Sequence, residues 1–380
     1  MALKIGIVTE YYYPLLGGIS ENVHHTATEL KARGHAVTVI SAAPRTNGFH
    51  LPQPNGIPTR RIGRSFTVYG NGAIAHFTMG AHVWRDLRDL LREERFDILQ
   101  LHSPLFFTLP PLAALLGQCP RVGTFHSYFE PSLVYSAIKG VLQKQFVDRL
   151  DGVTVVSPSV LRALSRYFDL DARVIPNGVD TQMFNPAVPR LARFGTDKRT
   201  LLFLGRFDPR NGLPFMLRAF AEVRRRIHDV RLIVVGTGPL EPVYTRMVPD
   251  ELRDDVHFEG PALLNRPSYY ATADLFCSPI SNASFGITLL EAMASGTPIV
   301  ATDNVGYRDL LGPEGLLVPY DVNAFADAIV QMLSDDRLRV AMREAGLRKA
   351  EQYSWPNVVT GLLEYFDEVL EGRGGSEDPS

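Results

Sequence analysis

The sequence predicts an α/β protein built as two successive doubly wound halves, and three observations carry that expectation. Short apolar runs such as "KIGIVT" (Lys4–Thr9), "AVTVISA", "FDILQLHS", "RVGTFH" and "GVTVVS" are separated by stretches long enough for a helix. Buried strands that alternate with helices make βα units and a parallel sheet. Near Thr200 the pattern restarts with "TLLFLGRFDPRNG", which repeats the strand-then-glycine-loop form of the chain's opening, and "RLIVVGTGP", "DLFCSP" and "TPIVAT" follow. Length agrees, since 380 residues exceed one ordinary core and suit two domains.

Taken in order, the first strand leads through a loop to a helix expected from about Ser20 to Arg33, ended by Gly34. The segment "PSLVYSAIKGVLQKQFVDRL" (Pro131–Leu150) places Val134, Ile138, Val141, Leu142 and Phe146 at helical spacing, with Lys139, Lys144 and Arg149 interspersed. The favoured reading is a core-facing helix; docking on an anionic membrane is the alternative. "TRRIGR" (Thr59–Arg64) is a second small basic cluster that could serve the same docking. The halves join near "RVIPNGVDTQMFNP" (Arg173–Pro186), and the final "EGRGGSEDPS" has the polarity of a disordered tail.

Composition excludes several classes. A formal charge of -2 argues against a nucleic-acid binder driven by bulk electrostatics. Cys119 and Cys277 each lie in an apolar run and read as buried thiols, so no disulfide framework or cysteine zinc site is available. The opening "MALKIGIVTEYYYP" lacks the architecture of a signal peptide, and the apolar stretch Leu105–Gly117 is short and broken by two prolines. A soluble cytoplasmic protein, at most peripheral to a membrane, is expected.

Ligands of open parallel sheets sit outside the carboxyl ends of the strands. The residues there are Gly17 and Gly18, His102 and His126 in the first half, and Arg206, Gly236 and Gly238 in the second. The second half adds "SNASFGITLLEAMASG" (Ser281–Gly296), a small polar loop opening onto a helix that carries Glu291. Ser281, Asn282 and Ser284 read as capping side chains, and Gly286 as a point where a ligand approaches the main chain. Glycines, helix-start N–H groups and an arginine suit a nucleotide diphosphate, and Glu291 could accept both hydroxyls of a ribose. Each feature also has a plainer reading: a turn at Gly17–Gly18, an Arg206–Asp208 surface pair, a structural role for His102, which is favoured there, and a solvated face for Arg224–Arg226.

The stretches "PLLGGISENVHHTATELKARGHAVTVIS", "TFH", "VIPNGVD", "FLGRFDPRNGL", "FGITLLEAMASGTPIVAT", "GLLVPYD" and "YSW" run in order along nearly the whole chain. Together they resemble the retaining glycosyltransferases of family 4, and within that family the bacterial phosphatidylinositol mannosyltransferases most. The resemblance implies the GT-B fold, two facing Rossmann-like domains with a cleft between them. The expected domains are 1–176, completed by a returning helix over 356–372, and 177–355, with a tail from 373 to 380. It also implies transfer of a hexose from a nucleotide diphosphate sugar, GDP- or UDP-linked, with no metal or other cofactor. The acceptor would be a lipid or glycan, and the inner face of the cell membrane a possible partner surface.

By the same resemblance, Gly17 and Gly18 lie beside the diphosphate, and His126 meets the donor sugar near the reacting carbon. Arg206 neutralises the leaving diphosphate, and main-chain N–H groups around Ser284, Phe285 and Gly286 hold sugar hydroxyls. Glu291 holds the ribose, while Pro261 and Ala262 offer mainly main-chain groups to the base. Two positions depart from the family pattern. The lysine usual five residues after the arginine is Asn211, which can donate a hydrogen bond but carries no charge. The first of two glutamates usually eight apart is Ala283. Three readings therefore stand: an active transferase, which is favoured; a weak or inactive nucleotide-binding partner subunit; and a GT-B enzyme of another kind, such as a sugar-nucleotide epimerase.

Overall fold

The computed structural model describes residues 2–15, 17–44, 56–70, 73–105, 108–262 and 265–374. The chain divides into two compact units: one runs to Asn177 and resumes at Trp355, and the other is Gly178–Ser354.

The first unit is built on an eight-stranded sheet: β1 (Lys4–Val8), β2 (Ala36–Ala43), β3 (Thr59–Gly70), β4 (Ala73–Met79), β5 (Ile98–His102), β6 (Arg121–Phe125), β7 (Gly152–Val155) and β8 (Arg173–Val174). Their spatial order is β4-β3-β2-β1-β5-β6-β7-β8. All neighbours run parallel except β3 and β4, an antiparallel pair at the edge. Ile5, Ile7 and Val8 are fully buried, which is why β1 reads as a continuous apolar run. Five helices follow the strands: α1 (Gly18–Ala32), α2 (Val83–Glu94), α3 (Leu109–Leu116), α4 (Leu133–Gln145) and α5 (Pro158–Leu164).

The second unit holds β9 (Arg199–Leu204), β10 (Val230–Val235), β11 (Val256–Phe258), β12 (Leu275–Ser278), β13 (Ile299–Thr302) and β14 (Gly315–Val318), ordered β11-β10-β9-β12-β13-β14 and parallel throughout. Its helices are α6 (Leu213–Arg226), α7 (Glu241–Arg246), α8 (Arg266–Thr272), α9 (Ile287–Ala294), α10 (Val305–Leu310), α11 (Val322–Ser334) and α12 (Asp336–Gln352). Seven residues of α6 are buried, Met216, Phe220 and Val223 among them, so its apolar stripe faces the sheet. The cations at its end are paired, Arg224 with Asp255 at 2.8 Å, Arg225 with Glu222 at 2.6 Å, and Arg226 with Asp327.

A final helix, α13 (Trp355–Gly374), belongs to the first unit. Its Val359, Leu362, Phe366 and Val369 join Ile5, Val23 and Leu30 in one core. Trp355 stacks on His25 of α1, with centroids 5.2 Å apart, and Arg33 donates to Thr360 Oγ1 and to the Pro356 carbonyl. Residues 375–380, where most of the expected tail falls, lie outside the described residues.

Two expectations are corrected here. α4 contributes no buried residue: Leu133 is 89% exposed, Val134 67% and Val141 64%, while Leu142 and Phe146 are half-buried. The core-facing reading fails because the helix is anchored elsewhere. Tyr135 packs with Phe129 and Tyr167, and the Gln143 side chain bridges to both the N–H and the carbonyl of Asp169. The two cysteines also differ from expectation: Cys277 is buried, but Cys119 is only half-buried.

Candidate active site

Strand order reverses in each sheet between two particular strands, β1 and β5 in the first unit and β9 and β12 in the second. Chains leaving such neighbours depart to opposite faces and open a crevice beyond the strand ends, where ligands of this architecture bind. The sequence-predicted residues follow those strands or their neighbours.

In the second unit, Arg206 comes just after β9, and its side chain is 53% exposed. Asp208 lies 3.4 Å from its guanidinium, so the plainer surface pairing is present, though at a length that leaves most donors open. Asp208 also accepts the Asn211 N–H at 3.0 Å, and Asn211 Nδ2 donates to the Arg206 carbonyl at 2.8 Å. The loop thus closes on itself, and the residue that replaces the family lysine is spent holding the arginine's backbone. Gly212 ends this turn at φ +75°, where a Cβ would collide with the Pro279 carbonyl. That contact seats the Arg206 loop directly against the segment leaving β12.

The segment after β12 reaches α9, whose N-cap is Gly286 with no side-chain cap. The N-cap position itself is thus a glycine, two residues past Ser284, so the cap residue supplies no side-chain acceptor of its own. Gly286 has φ +133°, and a Cβ there would stand 2.9 Å from the Tyr307 ring, so packing and backbone require the glycine. Phe285 is buried and Ser284 half-buried beside it.

Glu291 is 2% exposed and held from two sides. Tyr270 donates its hydroxyl to Oε2 at 2.8 Å, and Arg266 lies 3.2 Å from Oε1. Burial and the neighbouring carboxylate raise the Tyr270 pKa far above its ordinary value, so the phenol stays a donor. A ribose at Glu291 has to share an already engaged carboxylate. Pro261 and Ala262 follow the edge strand β11, beside the Gly260 carbonyl that accepts the Gly236 N–H at 2.9 Å.

In the first unit, Gly17 is the N-cap of α1, in extended backbone and exposed, with Gly18 next to it. A Cβ on Gly17 would meet nothing within 4 Å, so neither packing nor backbone requires a glycine there. His126 follows β6 and is 8% exposed. Burial pushes its pKa down to about 3, which keeps the ring neutral across the physiological range. Its Nε2 sits 2.7 Å from Nδ1 of His102.

The structure adds three sets of contacts at these strand ends. His102 was read as structural by itself, yet the register of β5 and β6 brings it against His126. Glu10, just past β1, is 1% exposed and accepts the N–H groups of Thr108 and Leu109, both at 2.6 Å, at the start of α3. Its burial raises its pKa. The Arg266–Tyr270 grip on Glu291 had no sequence signal beyond an arginine and a tyrosine on one short helix. Of the basic cluster, Arg60 pairs with Glu94 at 3.0 Å and Arg61 donates to the carbonyls of Ala42 and Tyr13.

Comparison with known proteins places these edges in a family. Residues 16–183 match the model described as Glycosyltransferase Family 4, and residues 198–335 that described as Glycosyl transferases group 1. The chain is 32% identical to a phosphatidyl-myo-inositol mannosyltransferase of Mycolicibacterium smegmatis, over 98% of this chain and 95% of that protein. It belongs to glycosyltransferase family 4. The Mycobacterium leprae protein of the same description is 34% identical over 97% of both chains. A glycosyltransferase structure from Rickettsia africae superposes with a TM-score of 0.76 at 18% identity, covering 97% of this chain and 99% of that one. This family 4 protein is thus a retaining hexosyltransferase of GT-B fold, with two Rossmann-like units.

Proposed function

We propose that this chain transfers mannose from GDP-mannose to a phosphatidylinositol-type lipid at an anionic membrane face. The observation that carries the lipid reading is α4. Val134, Ile138 and Val141 recur on one side of the helix, all exposed, with exposed Lys139 and Lys144 beside them. An outward apolar stripe with lysines suits a bilayer surface with anionic headgroups. No helix among the described residues is long and apolar enough to cross a membrane. Relatives at 32–34% identity named as phosphatidyl-myo-inositol mannosyltransferases support the same acceptor and sugar. The cell's inner membrane face is where a nucleotide sugar and such a lipid meet.

In this reading Arg206 and the first-turn N–H groups of α9 receive charge as the diphosphate leaves, and such preorganised donors lower the barrier. Ser284, Phe285 and Gly286 offer main-chain donors to the sugar, Asn211 steadies Arg206, and Glu291 orients the ribose. Pro261 and Ala262 flank the base. In the first unit the unobstructed Gly17–Gly18 admits the diphosphate, and His126 meets the sugar. The same-face attack of a retaining transfer lets a leaving phosphate oxygen take the acceptor's proton, so no protein nucleophile is invoked. A second reading, a weak or inactive partner subunit, draws on Asn211 and Ala283.

The test is calorimetry with GDP and UDP, followed by transfer from GDP-mannose to phosphatidylinositol in anionic vesicles. Tight GDP binding with mannolipid product is expected. UDP preference or product only on a water-soluble glycan overturns the donor or acceptor assignment. Nucleotide binding without any product favours the partner-subunit reading.

A further inference from the structure

His102 is the last residue of β5, and His126 lies just past the end of the neighbouring β6. Their ring planes lie 15° apart with centroids 5.0 Å apart, so the rings meet edge to edge, and one hydrogen bond of 2.7 Å joins His102 Nδ1 to His126 Nε2. His102 is 1% exposed, and its Nε2 is buried without a partner. Immediately after it, Ser103 adopts φ +56°, a left-handed conformation uncommon outside glycine, while its N–H is tied to the Thr124 carbonyl at 2.7 Å. The backbone is thereby turned sharply at the point that fixes the His102 ring.

We propose that His102 is a positioning residue that sets the tautomer of His126, so that His126 presents an Nδ1–H donor to the sugar of the donor substrate. The inference rests on the reading of His126 as a donor-sugar residue. One hydrogen lies between the two facing nitrogens, and it belongs to one ring or the other. If His126 supplies it, His102 carries its own hydrogen on Nε2, a buried N–H with no acceptor. If His102 supplies it, the same Nε2 is a bare lone pair. Buried donors without acceptors are the rarer and costlier arrangement. His102 therefore donates from Nδ1, and His126 accepts at Nε2 and holds its hydrogen on Nδ1. Burial keeps both rings neutral, which preserves this single-hydrogen arrangement. A ring fixed this way is a donor to a sugar oxygen at Nδ1, and its nitrogen lone pair is already occupied.

The experiment uses the full chain labelled with 15N-histidine and reads ring tautomers from long-range proton–nitrogen correlations, beside kcat and KM for the nucleotide sugar. In the wild type, His126 is expected as the Nδ1–H form. His102→Phe keeps a flat buried ring but removes the donor; His126 should lose its single tautomer, and kcat/KM should fall about 10- to 100-fold. His102→Asn places an amide N–H near the original Nδ1 and should recover most of that loss. A wild-type His126 with its hydrogen on Nε2 overturns the inference, and so do equal losses in both variants with the His126 tautomer unchanged. His126→Ala separates the two levels. Unimpaired transfer in that variant overturns the site reading itself, whereas a loss there with full activity in His102→Phe overturns the inference alone.

Discussion

The carboxyl edges of the two sheets are built from opposite materials. In the second unit the edge is polar and open: an exposed arginine, a self-closed turn at Asp208–Asn211, and a helix start capped by a glycine. In the first unit the exposed Gly17–Gly18 stands beside buried side chains, Glu10, His102 and His126, each of the three under a tenth exposed. Main-chain N–H groups and a guanidinium recognise any diphosphate, because charge and geometry are all they read. Buried side chains already engaged by neighbours offer fewer and more fixed partners. Under the proposed function, the open edge of the second unit suits the general task of receiving a leaving diphosphate, and the buried histidines of the first unit suit a more selective contact.

Five changes break or sharpen that contrast. Arg206→Ala should lower transfer by about 10²- to 10³-fold in kcat with the fold intact, as loss of one preorganised donor does elsewhere; steady-state kinetics decide. Glu291→Ala leaves Arg266 and Tyr270 without their shared acceptor. Denaturant melts should show a loss of about 3 kcal/mol, the scale of breaking a buried ion pair. Ile138→Glu on α4 should weaken sedimentation with anionic vesicles about tenfold while leaving the melting midpoint unmoved, since the side chain is 41% exposed and outside the core.

Acid should act harder on the first unit. Burial holds His24 at about 4, His126 at about 3 and His102 well below its ordinary value. The unfolded chain protonates these rings near 6.5 and the folded chain does not, so it takes up more protons as pH falls. The stability they contribute is full above pH 6.5 and declines below it toward the folded values. In the second unit His257 is shifted the same way. Hydrogen exchange compared at pH 7 and pH 5 should therefore show the larger loss of protection in the first unit. The smallest effect is expected from Asn211→Lys, which adds a cation but removes the bond to the Arg206 carbonyl. The two changes oppose each other, and kcat/KM should stay within about threefold.

Much of the architecture was legible because buried parallel strands leave uninterrupted apolar runs, as "KIGIV" and "RLIVV" do. The edge hairpin β3–β4 was not, because half-exposed strands such as "TRRIGRSF" mix charge with apolar residues and were read as a basic cluster. Periodicity misled at α4: an apolar stripe shows that a face exists, and only the anchoring of Tyr135 and Gln143 shows which way it points. Strand-end placement singled out Arg206 and His126 one at a time. It could not report pairs, since the His102–His126 contact depends on register and the Arg266–Glu291 contact on how two short helices meet.

The return of α13 has a consequence for how the chain is made. Val359, Leu362 and Phe366 complete a core whose other members, Ile5 and Val23 among them, are synthesised more than three hundred residues earlier. On a ribosome that elongates at roughly 5–20 residues per second, the first unit waits on the order of tens of seconds with the α13 face of α1 uncovered. The second unit, encoded without interruption from Gly178 to Ser354, has all its parts before the first does. Order of birth and order of completion are thus reversed in this molecule, and the nascent first unit is the stretch a chaperone would find open.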